Sequence, residues 1–294
     1  MADTFKAALV QTCTGCDVDR NVATIGEMIR EAAANGAQYI QTPEVTSLIA
    51  ANGKDQLAKS VPDDQNNIAI AGFSRLAGEL QVWLHIGSMP IRLDETKLAN
   101  RSFLFDPAGN IAARYDKIHM FDVDVDADNR YSESRRYTAG DRTLVTPLPW
   151  GNLGLTICYD MRFPGLYRSL AKAGAHFIAV PSAFTVPTGE AGHWHTLLRA
   201  RAIEAQCYIL AAAQAGEHES GRKSYGHSIA IAPWGEVVAE ADGLQTTVIY
   251  AHIERNEVDK ARRRVPSLDH DRSYEIVAPE LNETVTPPKE NKFL

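Results

Sequence analysis

The residue types that most often carry out covalent and acid–base chemistry occur at four notable places in this 294-residue sequence. The first is Cys158, which ends the apolar segment 153–158 (LGLTIC) and precedes a short polar stretch and Pro164. This order predicts a buried strand that turns sharply into a helix. Such a corner exposes its side chain, and neighbouring backbone N–H groups can stabilise an oxyanion. Cys158 is therefore a candidate nucleophile, and a buried structural cysteine is the alternative.

Two further candidates lie where predicted strands end. Glu44 follows Pro43 at the end of the predicted strand 37–42, and Lys117 follows a predicted hairpin. Enzymes built from alternating strands and helices keep their sites at the carboxyl ends of strands. A glutamate there can exchange protons, and a lysine can stabilise negative charge. A solvated surface position is the alternative for each residue taken alone.

The fourth place is Glu133, which ends a segment rich in aspartate. Oxygen-bearing side chains occupy positions 1, 3, 5, 7 and 12 of a loop that resembles an EF-hand: Asp122, Asp124, Asp126, Asp128 and Glu133. Position 6, however, is Ala127, where the sharp turn of an EF-hand requires glycine. This departure disfavours a calcium site, so Glu133 needs another explanation.

The remaining metal-binding residue types do not form a convincing site. Cys13 and Cys16 have the CxxC spacing, but no second pair of ligands and no helix beginning at Cys13 is visible. His193 and His195 are separated by one residue and therefore point to different faces of the predicted helix. We therefore expect packing roles for the two cysteines, and we predict no metal.

The elements that must position these residues alternate between strand-like and helix-like segments. Apolar runs predict strands over 5–12, 37–42, 82–91, 101–106, 111–115, 153–158, 176–181, 208–214 and 246–253. Periodic segments predict helices over 20–35, 65–80, 164–173, 193–206 and 256–264. Turn sequences at 106–110 (DPAGN) and 233–236 (PWGE) predict two hairpins. This mixture predicts an α/β fold in which mixed sheets are covered by helices.

Composition and charge exclude several classes of partner. Hydrophobic residues make up 45% of the chain and charged residues 23%, and the formal charge is −7. No basic stripe with interleaved aromatics is present, so we expect no nucleic-acid partner. No apolar run approaches a membrane span, and the first residues lack the features of a signal peptide, so we expect a cytoplasmic protein without a membrane partner. We expect one domain over residues 1–278 and an extended tail rich in Pro, Glu, Asn and Lys over residues 279–294.

Three separated motifs together resemble the nitrilase superfamily of carbon–nitrogen hydrolases. They are Thr42-Pro43-Glu44, the segment 115–119 (YDKIH) and the segment 155–164 (LTICYDMRFP). Within the superfamily the chain resembles the branch that contains ω-amidase and deaminated glutathione amidase. The segments that carry this closer resemblance are 181–184 (PSAF), 193–194 (HW), 198–202 (LRARA), 211–216 (AAAQAG) and 224–228 (SYGHS).

The resemblance implies a fold and an assembly. The superfamily fold is an αββα sandwich, which agrees with the mixed sheets predicted above. Two such units usually associate through helices beside the active site, so the resemblance implies a homo-oligomer, a dimer or larger. It also implies a small-molecule amide substrate and a reaction that requires no metal or organic cofactor.

The resemblance also implies roles for individual residues. The catalytic residues of the superfamily correspond to Glu44, Lys117, Cys158 and Glu133. The oxyanion would be held by Lys117 and the backbone N–H of Tyr159, and a substrate carboxylate by Arg162 or Arg199. We expect burial beside Glu133 to raise the proton affinity of Glu44, so that Glu44 can serve as a base.

The implied reaction is the hydrolysis of a small carboxylated amide to an acid and ammonia through a thioester of Cys158. Deaminated glutathione is the expected substrate. The alternatives are an ω-amidase acting on α-ketoglutaramate, a broader aliphatic amidase or nitrilase, and a binding protein that has lost activity.

Overall fold

The structure, a computed structural model, describes residues 3–64, 66–124 and 130–276. The expected tail at 279–294 lies outside the described residues, as do the last two residues of the expected domain. Among the described residues, no helix combines the length and the apolar character needed to cross a bilayer.

The chain alternates between strands and helices over most of its length. The strands are β1 (Thr4–Gln11), β2 (Tyr39–Gln41), β3 (Trp83–Arg92), β4 (Leu98–Phe105), β5 (Ile111–Asp116), β6 (Asp122–Asp124), β7 (Arg130–Ser132), β8 (Val145–Leu148), β9 (Gly151–Leu155), β10 (Phe177–Ala179), β11 (Tyr208–Ala211), β12 (Ala215–Glu217), β13 (Lys223–Tyr225), β14 (Ile229–Ile231), β15 (Val237–Glu240) and β16 (Thr247–Glu254). The helices are α1 (Val18–Ala34), α2 (Gly53–Lys59), α3 (Ile68–Leu80), α4 (Pro164–Lys172), α5 (Val186–Glu190), α6 (His193–Ala205) and α7 (Arg255–Arg264). Short 3₁₀ helices cover Glu133–Arg135 and Cys158–Arg162.

Most strands belong to two mixed sheets of six strands each. The first sheet has the order β16-β1-β2-β3-β4-β5, and the second has the order β15-β14-β11-β10-β9-β8. In each sheet three central strands are parallel, β1-β2-β3 in the first and β9-β10-β11 in the second. Antiparallel strands flank them on both sides. The carboxyl ends of the parallel strands are therefore free to carry loops that form a site.

The alternation of side chains along β1 shows how the layers pack. Phe5 and Leu9 point toward the second sheet, whereas Ala8 and Val10 point toward a separate core formed with α1 and α3. Phe5 stacks on Trp150 at 4.4 Å between ring centroids. Helices α4 and α6 pack together beside the second sheet. The result is an αββα sandwich, as the sequence predicted.

Most of the predicted elements are confirmed, with boundaries that differ by a few residues. The short helices α2 and α5 were not predicted, because five to seven residues are too few to show a helical period. The predicted strand 153–158 ends at Leu155, and Cys158 begins the 3₁₀ helix that follows it. The strand-to-helix corner at Cys158 is therefore confirmed.

Candidate active site

Four of the residues predicted to act together are brought to one cavity by loops that follow β2, β5, β7 and β9. The cavity has a volume of about 260 Å³, and its walls include Glu44, Lys117, Glu133 and Cys158. These residues are far apart in the sequence, and the ends of both sheets bring them together. Tyr159, the predicted oxyanion donor, also lines this cavity.

Glu44, Lys117 and Glu133 form what we call the buried charge cluster. Lys117 Nζ lies 2.9 Å from Glu44 Oε1 and 2.9 Å from Glu133 Oε2. The exposed fractions of the three side chains are 6%, 2% and 13%, respectively. One lysine thus bridges two carboxylates in a site with little water, where charge–charge interactions are strong.

Asn100, on β4, completes the cluster and was not predicted. Its Nδ2 donates to Glu44 Oε1 at 2.9 Å and to Glu133 Oε1 at 3.1 Å. Its Oδ1 is buried and has no hydrogen-bond partner among the described residues. Because Asn100 also lines the cavity, this oxygen can accept a hydrogen bond from an amide N–H.

Cys158 lies in an unusual backbone conformation. Its φ is +47°, in the left-handed region that residues with a side chain seldom adopt. Its backbone N–H donates to the carbonyl of Pro181 at 2.9 Å, which helps to hold this conformation. Strained residues of this kind cluster at functional sites, and the conformation turns the thiol away from the strand toward the cavity.

The Cys158 thiol and the Glu44 carboxylate line the same cavity and interact electrostatically. Burial raises the pKa of the thiol well above its ordinary value of 9.0, and the negative charge of Glu44 raises it further. Lys117 opposes this effect but does not reverse it. The sulfur therefore carries its proton at neutral pH.

The expectation that Glu44 has a raised proton affinity is wrong for this state. Burial does push its pKa upward, but the charge and hydrogen bond of Lys117, together with the charge of Arg222, outweigh burial. The net effect is a pKa below the ordinary value of 4.5. Glu44 is thus ionised, which is the state that a base requires. The same carboxylates raise the pKa of Lys117 well above 10.5 in spite of its burial.

The backbone around Glu44 is held by a bulge in β3. The register of β3 against β4 shifts between Ile86 and Met89. A Cβ at Gly87 would lie 2.2 Å from the carbonyl oxygen of Thr42, so only glycine allows β3 to approach the residues that precede Glu44 this closely. Val45, with a φ of +52°, is tied to the bulge by the bond from its N–H to Ser88 Oγ at 2.9 Å.

Asp160 connects the lysine motif to the cysteine motif. Its fully buried carboxylate accepts hydrogen bonds from Tyr115 Oη at 2.7 Å, from His119 Nδ1 at 2.7 Å and from the backbone N–H of Ile157 at 2.8 Å. These partners flank Lys117 on one side and Cys158 on the other. Asp160 therefore sets the position of the lysine relative to the nucleophile.

The carboxylate of Glu133, the last oxygen-bearing residue of the EF-hand-like pattern, is bound by other groups of the protein. Glu133 Oε2 accepts a hydrogen bond from the backbone N–H of Phe121 at 2.7 Å, and both of its oxygens contact Lys117. Asp126, Ala127 and Asp128 lie outside the described residues. The carboxylate of Glu133 is thus already used by the buried charge cluster.

A second cation, Arg222, lines the same cavity as the buried charge cluster. It extends from the turn between β12 and β13, and its Nη2 donates to the carbonyl of Ala183 at 2.7 Å. The Ala183 N–H donates in turn to Glu44 Oε2 at 2.9 Å. Arg222 Nε is buried without a hydrogen-bond partner among the described residues. Such a group can form a charge-assisted hydrogen bond with a bound anion.

A second cavity adjoins the first. Its volume is about 670 Å³, and the two cavities share Val45, Tyr131, Arg136, Tyr137 and Arg222 in their walls. Two arginines thus stand at the junction. An elongated substrate can place its reacting carbonyl in the smaller cavity and extend past these cations into the larger one.

The two arginines predicted to bind a carboxylate are elsewhere. Arg162 lies against the rings of Tyr159 and Phe184 and contacts His193 Nδ1 at 3.2 Å, so it stands behind the cavity wall. Arg199 is exposed and packs beside Gly235. Neither arginine lines the cavity that contains Cys158.

Cys13 and Cys16 do not converge on one point. The thiol of Cys13 donates to the carbonyl of Glu217 at 3.4 Å, and the thiol of Cys16 donates to the carbonyl of Ile49 at 3.2 Å. Cys13 is exposed, which contradicts the packing role expected for it, whereas the half-buried Cys16 fits that role.

Comparison with known proteins gives consistent matches. The sequence profile of the carbon-nitrogen hydrolase family matches residues 6–263. The deaminated glutathione amidase of Yersinia enterocolitica is 40% identical over 284 residues, which cover 95% of this chain and 97% of that protein. The deaminated glutathione amidase of Homo sapiens is 39% identical over 274 residues, covering 90% of this chain and 81% of that protein. The crystal structure of the C. elegans NitFhit protein has a TM-score of 0.85 at 36% identity, covering 92% of this chain and 66% of that chain. The range matched by the family contains the buried charge cluster and Cys158.

Proposed function

Because the chain belongs to the carbon–nitrogen hydrolase family, we propose that it hydrolyses a small carboxylated amide through a thioester on Cys158. The observation that carries the proposal is that Cys158, Glu44 and Lys117 line one cavity, in which the buried Lys117 is paired with Glu44. A nucleophile, a proton acceptor and a cation are the three groups that acyl transfer from an amide needs.

The reaction begins with the proton on the sulfur. Glu44 is ionised, since Lys117 and Arg222 lower its pKa against the effect of burial. As the sulfur attacks the amide carbonyl, the S–H proton moves to Glu44 and the S–C bond forms. The thiolate therefore exists only during attack, when the proton has a carboxylate to receive it.

The tetrahedral intermediate carries a negative oxygen that needs donors. Lys117 and the backbone N–H of Tyr159 are the proposed donors, and each such donor contributes about 2.7–4 kcal/mol in comparable sites. Protonation of Glu44 removes one of the two negative charges that compensate Lys117, so the cation becomes available to the oxyanion as that charge develops. Glu133 keeps the lysine in place throughout.

The collapse of the intermediate uses the same proton. Glu44 returns it to the nitrogen, the C–N bond breaks, and the amine or ammonia leaves a thioester on Cys158. Glu44 then takes a proton from water, the resulting nucleophile attacks the thioester carbonyl, and the thiol regains its proton as the acid departs. The balance of atoms is amide plus water to acid plus amine, with no redox change.

Deaminated glutathione is the proposed substrate because two relatives that match this chain over at least 90% of its length carry that activity in their names. The adjoining cavities suit an elongated carboxylated molecule. Arg222, with its unpaired Nε, is the proposed partner of a substrate carboxylate, and Arg136 stands beside it. These two residues replace Arg162 and Arg199 in that role.

The test is a comparison of kcat/KM for deaminated glutathione, α-ketoglutaramate, a neutral aliphatic amide and a nitrile. Arg222→Met should lower kcat/KM for the carboxylated substrates by about 30-fold or more, the equivalent of at least ~2 kcal/mol for an unpaired buried charge. The neutral amide has no carboxylate for Arg222 to bind, so the change in its kcat/KM measures how far loss of the arginine disturbs Glu44. Arg199→Met is the matched control and should behave as wild type.

The outcome also ranks the alternatives. A preference for α-ketoglutaramate over deaminated glutathione would indicate an ω-amidase. Equal kcat/KM for carboxylated and neutral amides would indicate a broad aliphatic amidase, and faster turnover of the nitrile would indicate a nitrilase. The proposed function would be contradicted by a protein whose Cys158 reacts with an alkylating agent but which turns over none of these four substrates.

A cytoplasmic location and a dimer formed through helices beside the site also belong to the proposal. The four cysteines are free, which supports a reducing compartment, and the family resemblance supports the dimer. Fractionation of cells and sedimentation of the purified chain would test them.

A further inference from the structure

A second group of chemically capable side chains lies outside the catalytic cavity, on the face formed by α6, β15 and the residues before β14. It consists of His195, His227 and Glu240, and we call it the His-His-Glu cluster. One ligand atom from each residue can be chosen so that all three atoms lie within 4.8 Å of one another. None of the three lines the cavity that contains Cys158.

The geometry of the cluster resembles that of a metal site. His195 Nε2 lies 2.7 Å and His227 Nδ1 lies 3.2 Å from the same oxygen, Glu240 Oε1. In a tetrahedral zinc site the ligand atoms lie about 2.0–2.2 Å from the metal, and therefore about 3.3–3.6 Å from one another. Adjustments of about an ångström in the side chains would bring the three atoms to those separations.

The three residues are held by separate, well-anchored pieces of backbone. The carbonyl of His227 accepts from Trp194 Nε1 at 2.8 Å, and Trp194 is fully buried next to His195. Glu240 is fixed opposite Ile229 in the ladder between β14 and β15. A ligand set that is ordered before the metal arrives loses little conformational entropy on binding.

The surroundings of the cluster favour a cation. The ring of Tyr225 lies 4.5 Å from the ring of His227 and 6.1 Å from that of His195. The carboxylate of Glu240 lies at this point, and the side chains of His195, His227 and Glu240 are 37%, 28% and 33% exposed, so a cation can reach them from solvent.

We propose that the His-His-Glu cluster binds a divalent transition metal of the zinc class, with two imidazole nitrogens, one carboxylate oxygen and water as the ligands. Imidazole and carboxylate are the ligands that zinc, cobalt and nickel accept, and three protein ligands leave a position open to solvent. The metal displaces the proton from His195 Nε2 and from His227 Nδ1, and each neutral imidazole then carries its one proton on the other ring nitrogen.

The bound metal joins α6 to the β14–β15 hairpin. Tyr225, which stacks on His227, also packs against Gly189 in α5, where a Cβ would lie 2.2 Å from its ring. Thr188, the neighbour of Gly189, lines the catalytic cavity. The metal therefore stabilises the outer side of one wall of the site without entering the reaction.

The test is equilibrium dialysis of the full chain against zinc, together with cobalt binding followed by visible absorption. Wild type should bind one zinc per chain at the cluster and show a higher melting temperature with zinc. Glu240→Gln and His195→Gln should each weaken zinc binding by at least about 10–100-fold. Loss of a residue that only hydrogen-bonds to a metal ligand already costs that much, and these two residues are ligands themselves. His252→Gln, which changes an exposed histidine on β16, is the matched control and should bind as wild type.

Three results would overturn the proposal. The first is wild-type protein that binds no zinc. The second is equal zinc affinity in wild type, Glu240→Gln and His195→Gln. The third is a strong near-ultraviolet thiolate band with cobalt, which would place the metal on a cysteine such as Cys13 or Cys158. Glu240→Gln keeps the shape of the side chain, and unfolding in the absence of metal shows whether either variant is merely misfolded.

Discussion

The role of Lys117 can be tested through stability as well as activity. Lys117→Met removes the charge but keeps most of the volume of the buried side chain. Glu44 and Glu133 would then face each other without the cation that lies 2.9 Å from each of them. Removing one partner of a buried ion pair costs about 3–5 kcal/mol, because it leaves an uncompensated buried charge.

The expected loss is measurable by two methods. In urea, the unfolding midpoint should fall at an unchanged m-value. At this chain length about 2 °C of melting temperature corresponds to 1 kcal/mol, so thermal unfolding should occur roughly 6–10 °C lower. Turnover should fall by about 10²–10³-fold or more, since the oxyanion loses a donor.

A second substitution separates the two effects. Lys117→Met combined with Glu133→Gln removes one of the unpaired charges, so stability should partly recover while turnover stays low. Lys54→Met changes an exposed lysine in α2 and should alter stability by less than ~0.5 kcal/mol. A Lys117→Met protein within about 1 kcal/mol of wild type, or one that keeps its turnover, would refute the role of the cluster.

Three further predictions follow from the buried groups. The profile of kcat/KM against pH should be flat from about pH 5 to 9. The reason is that Lys117 and Arg222 outweigh burial and hold the pKa of Glu44 below 4.5, while burial holds the pKa of Cys158 above 9.0. An inflection near neutrality would contradict this prediction. Burial lowers the pKa of His85 from 6.5 to about 3, so the unfolded chain binds a proton at this histidine more readily than the folded chain does. The stability that neutral His85 contributes is therefore complete above pH 6.5 and is lost as the pH falls toward 3. The loss should reach about 2–3 kcal/mol by pH 4.5, and urea unfolding of His85→Gln should show a flatter acid limb, whereas an unchanged limb would argue against it. Asp160→Asn should lower kcat at least about tenfold and destabilise the fold by roughly 1–3 kcal/mol, because an amide cannot accept all the hydrogen bonds that the carboxylate accepts. A normal kcat in that variant would show that other contacts position the lysine and cysteine motifs.

The sequence predicted mixed sheets covered by helices, and the family resemblance added the sandwich and the grouping of the four residues. An apolar run marks β1, Glu44 and Lys117 follow a predicted strand and a predicted hairpin, and Cys158 ends a predicted strand. Three motifs in the correct order then connected positions that lie far apart in the chain. The structure confirms that these residues meet at one cavity.

The residues that the sequence did not reveal depend on packing across the fold. Asn100 lies within a buried strand, where a single polar residue looks like a core exception. Arg222 reaches the cavity from the turn between β12 and β13, and no periodicity points to that contact. The direction of the Glu44 pKa was also missed, since it depends on the sum of burial, Lys117 and Arg222.

The His-His-Glu cluster shows the same limit. The spacing of His193 and His195 along one helix directs them to different faces, which disfavours them as joint ligands. The fold instead pairs His195 with His227 and Glu240, which approach from the other side of α6. Proximity in space, unlike spacing along one helix, had no signal in the sequence.

The most direct test of the account is the identity of the covalent intermediate. The protein is mixed with deaminated glutathione, quenched in acid within the first turnovers, and digested for mass spectrometry. The account predicts an acyl group on the peptide that contains Cys158, and less than a few per cent of wild-type product release by a folded Cys158→Ala. Undiminished product release by Cys158→Ala, or an acyl group on a different residue, would contradict it.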